Sequence, residues 1–131
     1  TLHRVPLHEA DPAVFGVLEA GDLLFIDSSH ILMPGSDVDD LLNRVLPSLP
    51  SGVLVHIHDI LLPDPYPASW SGRGYNEQQG VAPLLTSGAW QPLFSSHYIT
   101  SRHPALLETG VLATLPLPEG AHETSLWLVR R

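Results

Sequence analysis

Two short apolar runs, each ending abruptly in polar groups, constrain this chain more than any other feature. Leu23-Leu24-Phe25-Ile26 passes into Asp27-Ser28-Ser29-His30, and Val53-Leu54-Val55-His56-Ile57 passes into His58-Asp59. Short apolar runs with little polar alternation are typical of strands buried on both faces, as in a parallel sheet. Between them, Ser36 and Asp39 have the spacing of a capping box, and Val38, Leu41, Leu42, Val45 and Leu46 recur at helical spacing up to Pro47. Strand, helix, strand at this size predicts a βαβ crossover, in which the two polar ends lie side by side.

The remaining elements are read from weaker signals. Asp11-Pro12 opens a short helix that Gly21 stops, with Val14, Val17 and Leu18 on its apolar face. Asn76 caps a helix running through Glu77, Val81, Leu84 and Leu85 to Gly88, against the breaking tendency of Gly80 and Pro83. Strands are expected at 90–100 and from Ser125 to Val129, with a weaker one from Val111 to Leu115. Pro and Gly gather at 34–35, 63–74 and 116–120, which marks those segments as loops. The pattern is that of a single α/β domain over residues 1–131.

Composition excludes several functions. Six Arg and no Lys stand against 14 Asp and Glu, giving a net charge of −8, so a phosphate-backbone reader is disfavoured and nucleic acid is not an expected partner. With no Cys there is no disulfide, thiolate metal site or Cys nucleophile, and the cytoplasm is the expected compartment. No apolar run approaches the roughly 20 residues that span a bilayer, and no secretory apolar segment opens the chain, so no membrane partner is expected.

In open α/β sheets ligands bind beyond the C-terminal ends of the strands, so Asp27, Ser29, His30, His58 and Asp59 form the natural site. Two carboxylates and two imidazoles suit either a divalent metal or a His general base whose tautomer a carboxylate fixes. The charges of Asp27 and Asp59, each closing an apolar strand, would be costly if left unpaired. His56 and His58 form a His-x-His-Asp run reminiscent of metal-dependent hydrolases, although His56 between Val55 and Ile57 reads first as a satisfied core histidine. Ser28 and Ser29 read as turn residues, and Asp37, Asp39 and Asp40 as helix-start charges. Tyr66 and Trp70, in the Pro-rich loop, are placed to line a substrate pocket, and Glu77 opens a helix beside it.

The string Gly21 to His30, then Pro34-Gly35-Ser36-Asp37-Val38, Val45-Leu46-Pro47, Gly52 to Ile60, Pro65-Tyr66-Pro67, Trp70, Asn76-Glu77-Gln78 and Ser125-Leu126-Trp127-Leu128 together resemble a bacterial branch of the class I S-adenosylmethionine-dependent methyltransferases. The resemblance covers nearly the whole chain and implies the C-terminal portion of that Rossmann-like fold, with strands ordered 4-5-7-6 and flanking helices. Asp27 would end the fourth strand and Asp59 the fifth; residues 90–100 and 124–130 would be the sixth and seventh, and Arg4 to Leu7 the third. The family's glycine-rich loop and the acidic residue that holds the ribose have no counterpart here, so the N-terminal cofactor half is expected to be missing. Strand four would then present an open apolar edge, inviting a homo-oligomer.

By the same resemblance, S-adenosylmethionine would lie against Glu9, Asp27 and Ser28, and a divalent metal such as Mg against Asp27 and Asp59. His30, His58 and Asp59 would be catalytic, and Tyr66, Trp70, Asn76 and Glu77 would meet a small-molecule acceptor. Metal-dependent relatives carry a second acidic residue two positions after the first, where Ser29 stands here. The implied activity is O-methylation of a small polar acceptor such as a sugar or natural-product hydroxyl. The alternatives are a non-catalytic, partner-binding module of the same fold and a metal-dependent hydrolase built on the His-x-His-Asp run.

Overall fold

The computed structural model describes residues 1–116 and 118–131. The protein is a small α/β domain around a mixed four-stranded sheet, β1 (Leu23–Ile26), β2 (Leu54–Ile57), β3 (Trp90–Ser95) and β4 (Leu126–Arg130), in the order β1-β2-β4-β3. β1 and β2 are parallel, while β4 runs antiparallel to both β2 and β3. Pro92 can be accommodated in β3 because that strand is at the sheet's edge, and the register slips there between Pro92 and Phe94.

Helix α1 (Ala13–Gly16) is a single turn opened by the carboxylate of Asp11, which accepts from Ala13 N at 2.9 Å. In the connection from β1 to β2 the helical stretch is unbroken from Asp37 to Ser48. α2 (Asp37–Asp40) runs through a π-type segment Leu41–Val45 into α3 (Leu46–Ser48). Pro47 has no N–H to give the turn before it and crowds the carbonyl four residues back, and the widened π segment absorbs that conflict. The capping box forms with a displaced return bond. Ser36 Oγ accepts from Asp39 N at 3.2 Å, but the Asp39 carboxylate accepts from Gly35 N rather than from Ser36 N. Helix α4 (Glu77–Thr86) follows the long loop after β2, and α5 (Ser96–Arg102) follows β3.

In-register pairing sorts the two sheet faces. Ile26, Val55, Ile57, Leu126 and Leu128 pack with Val38, Leu41, Leu42, Leu46 and Val81 of the helices in one core. Truncating a fully buried member such as Leu46 or Leu128 to Ala costs about 2–5 kcal/mol. On the opposite face Phe25, His56 and Trp127 align across β1, β2 and β4, with Leu23 and Phe25 still exposed. β1 therefore stands at a sheet edge and carries apolar side chains into solvent.

Several expected elements differ. Residues 90–100 are not one strand, because Ser95 Oγ accepts from Tyr98 N and turns the chain into α5. Val111–Thr114 is a 3-10 turn, not a strand. Arg4 to Leu7 forms no strand; Leu7–Glu9 is likewise a 3-10 turn, in which Glu9 N donates to Pro6 O and Ala10 N to Leu7 O, both at 3.0 Å. The chain's Gly-x-Gly, Gly72-Arg73-Gly74, lies in the loop after β2, where Gly74 takes a left-handed φ of 70°; it does not join a strand to a helix.

Candidate functional site

Parallel pairing of Ile26 with Ile57 brings the exits of β1 and β2 together, and His58 N donates to Ile26 O at 2.9 Å just past the last rung. Beyond it the chain bends sharply on both sides, with φ of 59° at His30 and 54° at Asp59. These are the only non-glycine residues with positive φ among those described. The bends turn side chains from both strands toward one spot.

His30 is the centre of that spot. It is 4% exposed, and its Nδ1 lies 2.8 Å from Glu77 Oε2, across from the first turn of α4. Ser28 Oγ donates to the same carboxylate oxygen at 3.0 Å and accepts from His30 N at 3.0 Å. An ionised carboxylate only accepts, so Nδ1 carries the hydrogen and the Nε2 lone pair faces the strand ends. There Nε2 lies 3.4 Å from Asp27 Oδ1 and 3.7 Å from Asp59 Oδ2. His58 Nδ1 lies 3.6 Å from Asp27 Oδ1 and 3.2 Å from Asp59 Oδ1, yet in neither case is the geometry that of a hydrogen bond. Burial pushes the Glu77 carboxyl above its ordinary range, and donation from His30 and Ser28 pulls it back only in part.

The loop after β2 walls one side. Tyr66, Trp70 and Tyr75 have ring centroids 5.8–6.0 Å apart, and Tyr75 also packs 4.5 Å from the His30 ring. Arg73 lies over Trp70 at 4.2 Å from the ring centre and reaches Asp59 Oδ2 at 4.0 Å. Burial raises the Tyr66 phenol to about 12, so it stays neutral and is no base near neutral pH. On the β1 side a cleft of about 290 Å³ is lined by Asp27, Ser28, Leu7, Phe15 and Leu41, among others.

The structure thus joins His30, His58, Asp59 and Asp27 in one cluster and seats Ser28 behind it. Asp59 is buried, but the Asp27 side chain is 57% exposed, so its charge is solvated and burial cost is no argument for it. Glu77 is not placed to meet an acceptor: it is 1% exposed and orients His30. Asn76 is also structural, its amide exchanging bonds with Leu32 N and Leu32 O and holding the 30–33 loop against α4. Glu9 lies apart from the cluster in a surface groove with His3, Val5 and Asp11. His56 is a core histidine, stacked 4.6 Å from Phe25 and edge-on to Trp127, but not a satisfied one, because its Nδ1 has no hydrogen-bond partner. Burial, with a smaller contribution from His58, holds its pKa below the usual histidine value. It does not join the metal-capable group, which weakens the hydrolase alternative. Ser29 and Asp37 bond each other outside the cluster, and those bonds outweigh burial and hold the Asp37 carboxyl below its ordinary range.

Sequence reading missed Tyr75 and Arg73. The signal available was Arg73 as the lone basic residue of the Pro-rich loop, and Tyr75 directly before Asn76-Glu77. No family model, curated protein or solved structure matches the chain. The site's chemistry therefore rests on its own geometry.

Proposed function

We propose that this chain is the acceptor-side part of an S-adenosylmethionine-dependent methyltransferase that methylates the hydroxyl of a small polar acceptor. The observation that carries the reading is the sheet order β1-β2-β4-β3, with the imidazole and carboxylate cluster at the ends of the first two strands. That order corresponds to the 4-5-7-6 arrangement implied by the resemblance, with Asp27 and Asp59 closing strands four and five. The cleft beside Asp27 and Ser28 offers room on the side where the cofactor would approach.

The acceptor enters between exposed Asp27 and the wall of Tyr66, Trp70 and Tyr75. Its hydroxyl proton passes to His30 Nε2, the nitrogen that Glu77 leaves unprotonated, and Asp27 and Asp59 stabilise the imidazolium. When bound, S-adenosylmethionine would supply an electrophilic methyl carbon to the acceptor oxygen, the carbon–sulfur electron pair leaving with sulfur as neutral S-adenosylhomocysteine. Positioning supplies most of the acceleration, because the cluster is already assembled.

The family's metal is tested by the donors present. The atoms that converge are those of Asp27, His30 and His58, with Asp59 outside that group, so the donors do not fit an Mg²⁺ site held by the two carboxylates, and no step is assigned to such an ion.

The test uses the gene product with all sequence encoded ahead of Thr1. S-adenosylhomocysteine should bind it by calorimetry, and His30→Ala with His58→Ala should abolish methyl transfer while leaving that binding intact. Full activity in the double variant would refute the proton assignment. Absence of cofactor binding would overturn the reading in favour of the partner-binding module.

A further inference from the structure

Three donor atoms at the ends of β1 and β2 converge without a hydrogen bond among the described residues to account for it. Asp27 Oδ1 lies 3.4 Å from His30 Nε2 and 3.6 Å from His58 Nδ1, and all three atoms are within 4.8 Å of one another. Bonds of about 2.0–2.1 Å meeting near the tetrahedral angle set donor atoms roughly 3.3 Å apart, so two of the three edges already have nearly that length.

Both nitrogens lack a hydrogen-bond partner among the described residues. The His30 side chain is 6% exposed, its Nδ1 is committed to Glu77, and Nε2 makes no hydrogen bond among the described residues. His58 Nδ1 is buried and has no hydrogen-bond partner either. A nitrogen that is shielded from water and unpaired, as His58 Nδ1 is, is costly, and a cation shared with His30 Nε2 and Asp27 Oδ1 would satisfy it. Glu77 completes the arrangement in which a carboxylate behind a ligating histidine fixes its tautomer and raises its basicity.

We propose that Asp27, His30 and His58 form a binding site for one divalent first-row transition ion, such as Zn²⁺ or Fe²⁺, with buried Asp59 as the neutralising carboxylate beside it. Two imidazoles and a carboxylate suit such ions, whereas Mg²⁺ demands an octahedral oxygen shell. The donor set thus departs from the Mg site on Asp27 and Asp59 that the resemblance implies. Asp27, on the exposed side, is the entry point. With the ion bound, His30 Nε2 no longer takes the acceptor's proton. The inference extends beyond methyl transfer and does not depend on it.

The test titrates Co²⁺ into the tag-free, chelator-treated 131-residue chain, followed by visible absorption and calorimetry, with Mg²⁺ in parallel. One equivalent of Co²⁺ should bind with ligand-field bands of low coordination number, and millimolar Mg²⁺ should give no heat. Asp27→Asn, a change at an exposed side chain, should weaken Co²⁺ about tenfold or more with an unchanged circular dichroism spectrum. Since histidine variants can misfold, ring nitrogen spectra of the unmodified protein supply the second readout: Zn²⁺ should shift His30 and His58 and leave His97 in place. Absence of a one-to-one cobalt spectrum, wild-type affinity in Asp27→Asn, or ring shifts confined to other histidines would each overturn the site. S-adenosylhomocysteine binding is measured separately, so the metal site and the methyl-transfer reading can fail independently.

Discussion

Replacing Glu77 with Met should invert the tautomer of His30 and, through it, weaken the site. Glu77 Oε2 accepts from both His30 Nδ1 and Ser28 Oγ. Met fills the same buried volume but accepts nothing comparable, so an Nδ1–H left there would cost about 1–3 kcal/mol as an unsatisfied buried donor. The ring escapes that cost by moving its proton to Nε2, because Ser28 Oγ, 3.5 Å from Nδ1, is then free to donate to it. A ligand needing the Nε2 lone pair must restore the original tautomer, and about 1–3 kcal/mol corresponds to roughly a 5–150-fold loss of affinity. Glu77→Gln is the control, since its amide oxygen can occupy the Oε2 position and keep both donations. Ring nitrogen spectroscopy should report Nε2–H only in Glu77→Met, with Zn²⁺ affinity falling in that variant well below Glu77→Gln. An unchanged tautomer in Glu77→Met, or equal affinities in the two variants, would refute the reasoning.

Gly52→Ala should lower the urea midpoint sharply, since φ is 89° and a Cβ there would sit 2.6 Å from Ala20 Cβ; the backbone cost alone is about 1–3 kcal/mol. Gly88→Ala, at φ 77° but with open space around it, should pay only that backbone cost, and an equal loss at both positions would sink the clash argument. Asp64 is held below its ordinary 3.8 by hydrogen bonds from Arg102 and His97, so its stabilising share is present above about pH 3.8 and disappears as pH falls through the lowered value. Asp64→Asn should therefore narrow its deficit relative to the parent on acid titration, and a pH-independent gap would contradict this. Phe25→Ala uncovers His56, so the His56 pKa should rise toward 6.5 in an NMR titration, and an unmoved value would mean that stacking on Phe25 is not what buries it.

What could be read locally was legible. The parallel pair β1 and β2 follows from apolar runs bounded by polar ends, and α2 from a capping serine and a 3.6-residue period, all within a few residues of chain. The strand ends named the cluster because parallel pairing makes adjacent exits unavoidable. The α5 segment was misread because Tyr98, Ile99 and Thr100 favour strands, and only the Ser95 cap reveals that the strand has ended. Glu77 was hidden for a different reason. Its partner lies 47 residues away, and nothing in Asn76-Glu77-Gln78 distinguishes a surface helix start from one driven into the core beneath a histidine. Asn76 deceived in the same manner, offering a capping side chain that the fold spends on Leu32.

The left-handed backbone at Asp59 has a consequence for protein engineering. A non-glycine residue there carries conformational strain, of about 1–2 kcal/mol, and its buried carboxylate makes no hydrogen bond among the described residues to offset it. Asn or Gly at position 59 would be better tolerated, so a library sorted only for heat resistance would drift to those residues, while His30, tied to Glu77, would survive the same sorting. Thermostable descendants would then keep the histidines and lose their neutralising carboxylate, and position 59 must be held fixed in any such screen.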